Sequence, residues 1–202
     1  ARYVINNDNS VNVLQLGALG NDVLNNTPIF KRAIDILIDG GELIFPKGVY
    51  RTSEPIFLKY SNTRLLGYGA TIKPFSSWVD VLAVKGIIAI FGQSFQHIEN
   101  LEIKGFKLDG TDFAGNPFLG QIAQNGIDSW YADKVRIYDN YVIGIENYGI
   151  WFSHGEDAII DGNTVENAQE QFEIAQDVKD VIVSNNISIG GNITVNNYLA
   201  YG

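Results

Sequence analysis

Short runs rich in valine and isoleucine recur at a fixed interval along the second half of the chain. When residues 135–144 (VRIYDNYVIG), 158–167 (AIIDGNTVEN) and 181–190 (VIVSNNISIG) are aligned, one asparagine falls at the same place in each. These asparagines are Asn140, Asn163 and Asn186, separated by 23 residues both times. The pattern predicts a repeating unit of strand, one-residue bend and strand.

The asparagines suit a bend for two reasons. Asparagine tolerates the left-handed backbone conformation better than most residues, and its amide can hydrogen-bond to the asparagine of the next repeat. We therefore expect a structural ladder of amides at this position.

A third apolar run precedes each pair of strands, which makes three strands per period. These runs are residues 126–130 (GIDSW), 149–153 (GIWFS), 171–175 (QFEIA) and 193–195 (ITV). Residues 65–72 and 101–108 extend the pattern toward the N-terminus, with Gly69 and Gly105 at the bend. Three strands per period predict an all-β fold of triangular coils, a parallel β-helix with a continuous apolar core. We expect about six coils within residues 40–202.

Residues 26–37 have the apolar spacing of an amphipathic helix. Its apolar face would hold Ile29, Phe30, Ala33, Ile34 and Leu37. Thr27 is expected to be the N-cap and Pro28 the first helical residue. A helix over residues 26–38 would cover the N-terminal end of the solenoid, where apolar core and strand edges are otherwise exposed. Residues 1–25 are expected to form a strand and a linker before it.

Residues 13–72 carry three segments in a fixed order: LQLGALGNDVLNNTPIFKRAID, GGELIFPKGVYRTSEPI and NTRLLGYGATI. Together they resemble the N-terminal region of the pectate-lyase-like superfamily, which includes phage tailspikes, alginate epimerase modules and polygalacturonase-like enzymes. The resemblance implies a right-handed parallel β-helix whose side groove handles polysaccharides. Because such a superfamily shares a scaffold while its sites differ, the chemistry depends on the groove residues.

The strands that begin each period predict one column of outward side chains. If Ile127, Ile150 and Phe172 point inward, strand alternation turns the residue that follows each of them outward. The column would then hold Asp128, Trp151, Glu173 and Thr194. Two carboxylates would flank a tryptophan, with about 10 Å between the backbones of Asp128 and Glu173.

This column suggests a site for glycosidic bond cleavage. An acid would protonate the glycosidic oxygen, a base would activate water, and Trp151 would stack on a sugar ring. The column does not tell which of Asp128 and Glu173 is the acid. The alternative is that both carboxylates are ordinary solvated residues and that Trp151 packs under a loop.

His154 is the third catalytic candidate, because histidine can exchange protons near neutral pH. Tyr148-Gly149 followed by His154 resembles the signature of alginate epimerases, although Phe152 and Ser153 replace the expected Asp-Pro pair. The His-Gly pair resembles polygalacturonases, but the chain has no adjacent Asp-Asp pair. As an alternative, His154 is a polar surface residue. Tyr148 and Trp130 are further candidates for substrate binding.

Residues 109–124 (DGTDFAGNPFLGQIAQ) form the longest interruption of the repeat, just before one of the candidate groove strands. Loops there would wall the groove, and Phe113 and Phe118 could contact a sugar. Asp109 and Asp112 could bind Ca²⁺ through carboxylate oxygens, although an Asp-Gly turn also explains Asp109. Residues 75–86, with Trp78 and Asp80, are expected to form a second wall. We expect no other cofactor.

Composition limits the classes of partner. With 46% hydrophobic and 18% charged residues the chain can bury a real core, and no apolar window reaches the roughly 18 residues of a membrane span. The net charge of −9, without a Lys/Arg cluster, argues against nucleic acid. The chain has no cysteine, and it has no methionine, which indicates processing or excision upstream.

Residues 196–202 begin a new coil without a second capping helix. We therefore expect the chain to continue in a longer protein or to pair with other subunits, for example in a homotrimer. An extracellular or virion-surface location is expected.

Three functions remain open from the sequence. The first is a polysaccharide-degrading enzyme, a hydrolase or lyase that uses Asp128, Glu173 and His154. The second is a non-catalytic component of a virion or cell surface that binds a glycan or a receptor. The third is a structural solenoid whose surface mediates subunit stacking.

Overall fold

A computed structural model of the chain describes residues 9–75, 86–112 and 125–196. Its strands form three parallel sheets in which neighbours come from successive coils, so the protein is the predicted right-handed parallel β-helix. The first sheet contains β1 (Ser10–Asn12), β3 (Gly41–Phe45), β6 (Thr63–Gly67), β9 (Ile98–Lys104), β12 (Ala132–Tyr138), β15 (Ile159–Asp161) and β18 (Ile182–Ser184).

The second sheet contains β2 (Asn21–Asn25), β4 (Gly48–Thr52), β7 (Ala70–Pro74), β10 (Lys107–Asp109), β13 (Tyr141–Ile143), β16 (Thr164–Glu166) and β19 (Ile187–Ile189). The third sheet contains β5 (Ile56–Leu58), β8 (Gly86–Phe91), β11 (Asn125–Trp130), β14 (Tyr148–Glu156), β17 (Glu170–Lys179) and β20 (Asn192–Asn196). A short 3₁₀ helix, Val13–Leu16, follows β1.

Each coil passes through the three sheets in the same order, and the first coil differs only in its last side. There the helix α1 (Thr27–Ile36) takes the place of a third-sheet strand and packs beside β5. After this first coil, strands β3 to β20 make six coils, as predicted for residues 40–202. The helix lies at the N-terminal end of the core, as predicted, with Phe30, Ala33 and Ile34 buried.

The N-cap of α1 is Asn26, not Thr27 as predicted. Thr27 is the first helical residue, and its hydroxyl lies 2.9 Å from that of Thr52 in β4. The Asn26 side chain makes no cap hydrogen bond, because its amide bonds to the backbone of Leu19 and Leu24 instead. Both side chains therefore connect the helix to neighbouring segments rather than cap it.

Inward side chains stack from coil to coil into one core. Ile137 pairs in register with Ile160 in the first sheet, and Val142 with Val165 in the second, all fully buried. Near the helix the core is aromatic. The ring centroid of Phe45 lies 5.2 Å from the ring centroids of both Phe30 and Phe106. This stacking buries most of the aliphatic residues of the repeat, as the periodicity predicts.

The asparagine ladder is confirmed at the bend between the first and second sheets. The side-chain amide of Asn140 donates to Asn163 at 3.0 Å, and that of Asn163 donates to Asn186 at 3.0 Å. Each also donates to a backbone carbonyl of the preceding coil. The ladder ends where the backbone N–H of Phe106 donates to Asn140.

The repeat predicts that the ladder asparagine is the left-handed residue of the bend. In the structure, the residue before it adopts this conformation instead. Asp139, Gly162 and Asn185 have φ values of 56°, 66° and 52°. Gly69 and Gly105, at the same bend in earlier coils, have φ values of 74° and 75°, as expected. The preceding residue makes the turn, which leaves the asparagine side chain pointing into the interior.

Among the helices of the described residues, none is long and apolar enough to cross a membrane.

The ladder should contribute strongly to stability. Replacing Asn163 with Ala would remove the acceptor of the Asn140 backbone N–H and of one Asn140 side-chain N–H, and it would remove the donor to the Ile137 carbonyl. We expect a loss of about 2 to 4 kcal/mol in the free energy of unfolding, measured by urea denaturation. The exposed Gln96→Ala should change it by less than about 0.5 kcal/mol. Equal stability of the two variants would contradict a structural role for the ladder.

Candidate functional site

The outer face of the third sheet carries the side chains of Asp128, Trp151 and Glu173, and the backbone of the fourth predicted member, Thr194, is in register with them. Asp128 pairs in register with Trp151, Trp151 with Glu173, and Glu173 with Thr194. Ile127, Ile150 and Phe172 are fully buried in the core, which confirms the predicted alternation. The column therefore puts one tryptophan between two carboxylates on neighbouring coils.

Neither carboxylate is a solvated surface group, which corrects the simpler alternative from the sequence. The exposed fraction is 1% for Asp128 and 9% for Glu173. The indole N–H of Trp130 donates to Asp128 Oδ1 at 2.9 Å. Burial, followed by a hydrogen bond to Glu173, raises the pKa of the Tyr148 hydroxyl. Each carboxylate thus holds an aromatic side chain in position.

Five rings in mutual contact form what we call the aromatic cluster: Trp130, Tyr131, Tyr148, Trp151 and His154. The rings of Trp130 and Trp151 meet edge to face at 4.6 Å, and Tyr148 lies 5.4 Å from Trp151. His154 stacks on Trp130 at 5.4 Å with only 10° between the ring planes. All five side chains remain partly exposed. The structure therefore brings three of the predicted binding residues and His154 together on one surface.

Tyr131 belongs to this cluster although the sequence reasoning did not select it. Its ring lies 4.6 Å from that of His154. Both residues stand at the corner between the third and first sheets, with φ values of 51° and 52°. The repeat aligns Trp130 with Ser153, so Tyr131 and His154 follow at the same position of successive coils. This alignment could have identified Tyr131 as a neighbour of His154.

His154 is packed into the corner rather than free on the surface. Its Nδ1 lies 2.6 Å from Ser153 Oγ, and its Nε2 lies 3.9 Å from Asp177 Oδ2. Burial lowers the pKa of His154, outweighing the attraction of Asp177, so the imidazole is neutral at neutral pH. Ser153 is fully buried, so its hydroxyl cannot contact a glycan in this conformation.

A cavity of about 280 Å³ lies at the N-terminal end of the same face, between α1 and β5. Phe30, Ile34 and Phe57 give it an apolar lining. Two ion pairs border it, Lys31 with Glu54 at 2.5 Å and Lys59 with Asp35 at 2.6 Å. Phe57 is in register with Ala89, and Ala89 is in register with Asp128 of the column. The cavity therefore lies in line with the column, on the same sheet as the aromatic cluster.

Several predicted groove residues lie outside the described part of the chain. These are Phe113, Phe118, Trp78 and Asp80. The interruption that contains Phe113 and Phe118 begins after β10 and ends at β11, as predicted.

The two aspartates considered for Ca²⁺ contact other groups of the protein. Asp112 pairs with Arg51 at 2.5 Å and Lys73 at 3.0 Å, and Asp109 accepts from the Thr111 hydroxyl at 2.6 Å. Within residues 9–75, 86–112 and 125–196, no group of three or more His, Asp or Glu side chains is arranged to hold a metal ion. Calcium binding stays a sequence-based prediction.

Comparisons with known proteins agree with this fold. Residues 10–95 match the family model described as rhamnogalacturonase A/epimerase, pectate lyase-like. A search of curated proteins found no match.

Three solved structures illustrate the similarity. A protein of Geobacillus virus E2 superposes with a TM-score of 0.64 and 18% identity, covering 93% of this chain and 40% of its own. A Parabacteroides merdae protein with a proposed glycosyl hydrolase assignment has a TM-score of 0.63 and 18% identity, covering 89% of this chain and 95% of its own. The exopolygalacturonase of Thermotoga maritima has a TM-score of 0.63 and 18% identity, covering 94% of this chain and 66% of its own. At these identities the likeness shows the fold alone.

The pKa of His154 provides a test of the packed cluster. An NMR titration should place its midpoint below 6.5, because burial disfavours the imidazolium. Asp177→Asn should lower the midpoint further, since it removes the one attraction that opposes burial. As pH falls from 6.5 through this midpoint, the unfolded chain takes up the proton more readily and the folded state loses stability.

The His154→Gln spectrum assigns the resonance, because His97 is the other histidine of the chain. A midpoint at or above 6.5 in the unaltered protein would contradict the packing described here.

Proposed function

On the premise that the chain is a pectate-lyase-like parallel β-helix protein, we propose that it binds a polysaccharide along the outer face of its third sheet. The observation that carries this proposal is the aromatic cluster. Its rings are partly exposed, fixed by contacts with one another, and arranged along the direction in which the coils stack. Such rigid apolar surfaces with polar edges suit the flat faces and hydroxyl rims of sugar rings.

Hydrogen bonds to buried carboxylates support the same function. Trp130 is oriented by Asp128 and Tyr148 by Glu173, so little side-chain freedom is left to lose when a ligand binds. An aromatic surface already held in its binding geometry gives affinity at low entropic cost. The predicted virion or extracellular location fits this function, since the related phage protein shares the fold.

Cleavage of the bound glycan is the second candidate, with Asp128 and Glu173 as the acid and base. The register supports it, because two coils separate the residues by about 10 Å, near the roughly 6.5 to 9.5 Å of inverting glycosidases. Catalysis would require Trp130 and Tyr148 to release the carboxylates when the glycan binds. His154, neutral at neutral pH and stacked on Trp130, would then be available as a further proton acceptor.

The non-catalytic alternative is favoured by a different surface. Ile182, Ile187 and Ile189 lie on the last described coil with exposed fractions of 56%, 56% and 44%. Exposed apolar groups of this kind often mark contacts with other proteins. An assembly role for this end of the chain, in a homo-oligomer or within a longer protein, is compatible with glycan binding on the third sheet.

Glycan binding should depend on the cluster. In a glycan microarray followed by calorimetry, Trp130→Ala should weaken binding of any recognised glycan by about ten-fold or more, because one stacking surface and the orientation of His154 are lost. Tyr68→Ala removes an aromatic ring that is 64% exposed and outside the third sheet, and should leave affinity unchanged. Circular dichroism should show both variants folded. Equal affinity of the two variants would exclude the cluster as the binding surface.

Cleavage has its own signature. If the protein degrades the glycan that it binds, Asp128→Asn and Glu173→Gln should each reduce the release of reducing ends by about a hundred-fold or more, while glycan affinity falls far less. Glu156→Gln, at an exposed carboxylate of β14, is the matched control. Absorbance from unsaturated products would indicate a lyase instead of a hydrolase. Turnover that survives both substitutions would reject the carboxylate pair.

A further inference from the structure

A tight turn between β8 and β9 stands next to the aromatic cluster. The backbone groups of Gln93 and Gln96 bond to each other at 3.0 and 2.9 Å, which closes the turn over Ser94 and Phe95. Phe95 is 83% exposed. His97 follows the turn, and its side chain is 33% exposed. The turn therefore presents one aromatic ring and one imidazole at the corner between the third and first sheets.

The turn is attached at both ends to residues of the aromatic cluster on the next coil. The backbone N–H of Gly92 donates to the carbonyl of Trp130 at 2.9 Å, and the N–H of Ile98 donates to the carbonyl of Tyr131 at 3.2 Å. Gly92 has no room for a side chain, because a Cβ there would lie 2.0 Å from the carbonyl oxygen of Tyr131. The backbone thus fixes the position of the turn relative to the cluster.

The rings at this corner continue the contacts of the cluster. His97, Tyr131 and His154 occupy the same corner position in three successive coils. The ring centroid of Tyr131 lies 5.7 Å from that of His97 and 4.6 Å from that of His154. Tyr131 also lies 6.1 Å from Trp130 of the third sheet. Ring contacts therefore run from the third sheet to His97 without a break.

The carboxylate of Asp133 orients the ring of His97. Nδ1 of His97 lies 3.0 and 3.1 Å from the two carboxylate oxygens, and Asp133 is itself held by the backbone N–H of Glu156 at 3.0 Å. Because an ionised carboxylate only accepts hydrogen bonds, Nδ1 carries a proton. Nε2, on the opposite edge of the ring, then accepts a hydrogen bond whenever the imidazole is neutral. A sugar offers a hydroxyl to this nitrogen and an apolar face to the ring of Phe95.

From this arrangement we infer that the glycan surface continues around the corner, where Phe95, His97 and Tyr131 form a second sugar subsite, the corner subsite. The inference rests on the proposed glycan-binding function. Phe95 supplies a stacking face, His97 accepts from a sugar hydroxyl, and Tyr131 connects the subsite to the rest of the cluster. A glycan that reaches both places gains contacts from each. The protein therefore prefers longer oligosaccharides to short ones.

Affinity measured against chain length tests the corner subsite. Calorimetry uses oligosaccharides from disaccharides to decasaccharides, prepared from polygalacturonate, galactan, dextran and xyloglucan. Affinity for the recognised series should rise with length until the chain reaches both the cluster and the corner. In Phe95→Ala and His97→Ala the rise should stop earlier. The longest recognised oligosaccharide should then bind at least about five-fold more weakly, while the shortest changes by less than about two-fold.

Further measurements separate direct contact from a structural effect. His97→Phe keeps a ring beside Tyr131 but removes the acceptor nitrogen, so it should also weaken binding of the longest oligosaccharide. Tyr68→Ala, at an exposed aromatic residue away from this corner, is the matched control and should change no affinity. Circular dichroism should show every variant folded. In the unaltered protein, the Cε1 proton resonance of His97 should shift when the longest recognised oligosaccharide is added.

The outcomes distinguish this inference from the proposed function. If no oligosaccharide binds, or if Trp130→Ala leaves binding unchanged, the function fails and the inference fails with it. If Trp130→Ala weakens binding while Phe95→Ala and His97→Ala change nothing, or weaken every length equally, the function stands and the inference is overturned. A loss confined to the longer chains, with a shifted His97 resonance, supports both.

Discussion

The register between successive coils is the constraint on which the rest of the structure depends. Parallel hydrogen bonding places each residue directly beside its counterpart one coil away, as with Asp128 and Trp151 or Ile137 and Ile160. A shift of one residue would turn the core side chains outward and disperse the column. The asparagine ladder fixes this register from inside, because each amide must meet the amide of the next coil. Core and candidate site are therefore specified by one alignment.

The interior of the coils and the outer face of the third sheet use polar groups in different ways. Inside the coil, amides satisfy one another and the backbone, which lets polar residues occupy an apolar interior. On the outer face, carboxylates satisfy the polar edges of aromatic rings, and the rings shield the carboxylates from water. The buried acids thus have a structural role that would persist even if they also act in catalysis. A loss of binding in an Asp128 variant could reflect either role, and only the ratio of turnover to affinity separates them.

The sequence predicted the parallel β-helix, the ladder and the Asp128 column because all three depend on periodicity, which is visible without coordinates. The sequence pattern placed the left-handed residue of the bend one position late. It also gave the N-cap of α1 to Thr27, because local preferences alone do not show that the side chain of Asn26 hydrogen-bonds to the backbone of Leu19 and Leu24. Tyr131 and the burial of Asp128 were missed for a related reason. Both depend on how side chains of neighbouring coils close over the sheet, which no single repeat reveals.

At the corner that holds Tyr131 and His154, a strained backbone carries two aromatic side chains of the surface. Each of these residues adopts a positive φ that glycine would adopt at lower energy, by roughly 1 kcal/mol. Stability-guided redesign, which rewards relief of such strain, would place glycine at both positions. The resulting protein would have lost two of its five rings, so a homologue with glycines at this corner would be expected to have a different partner.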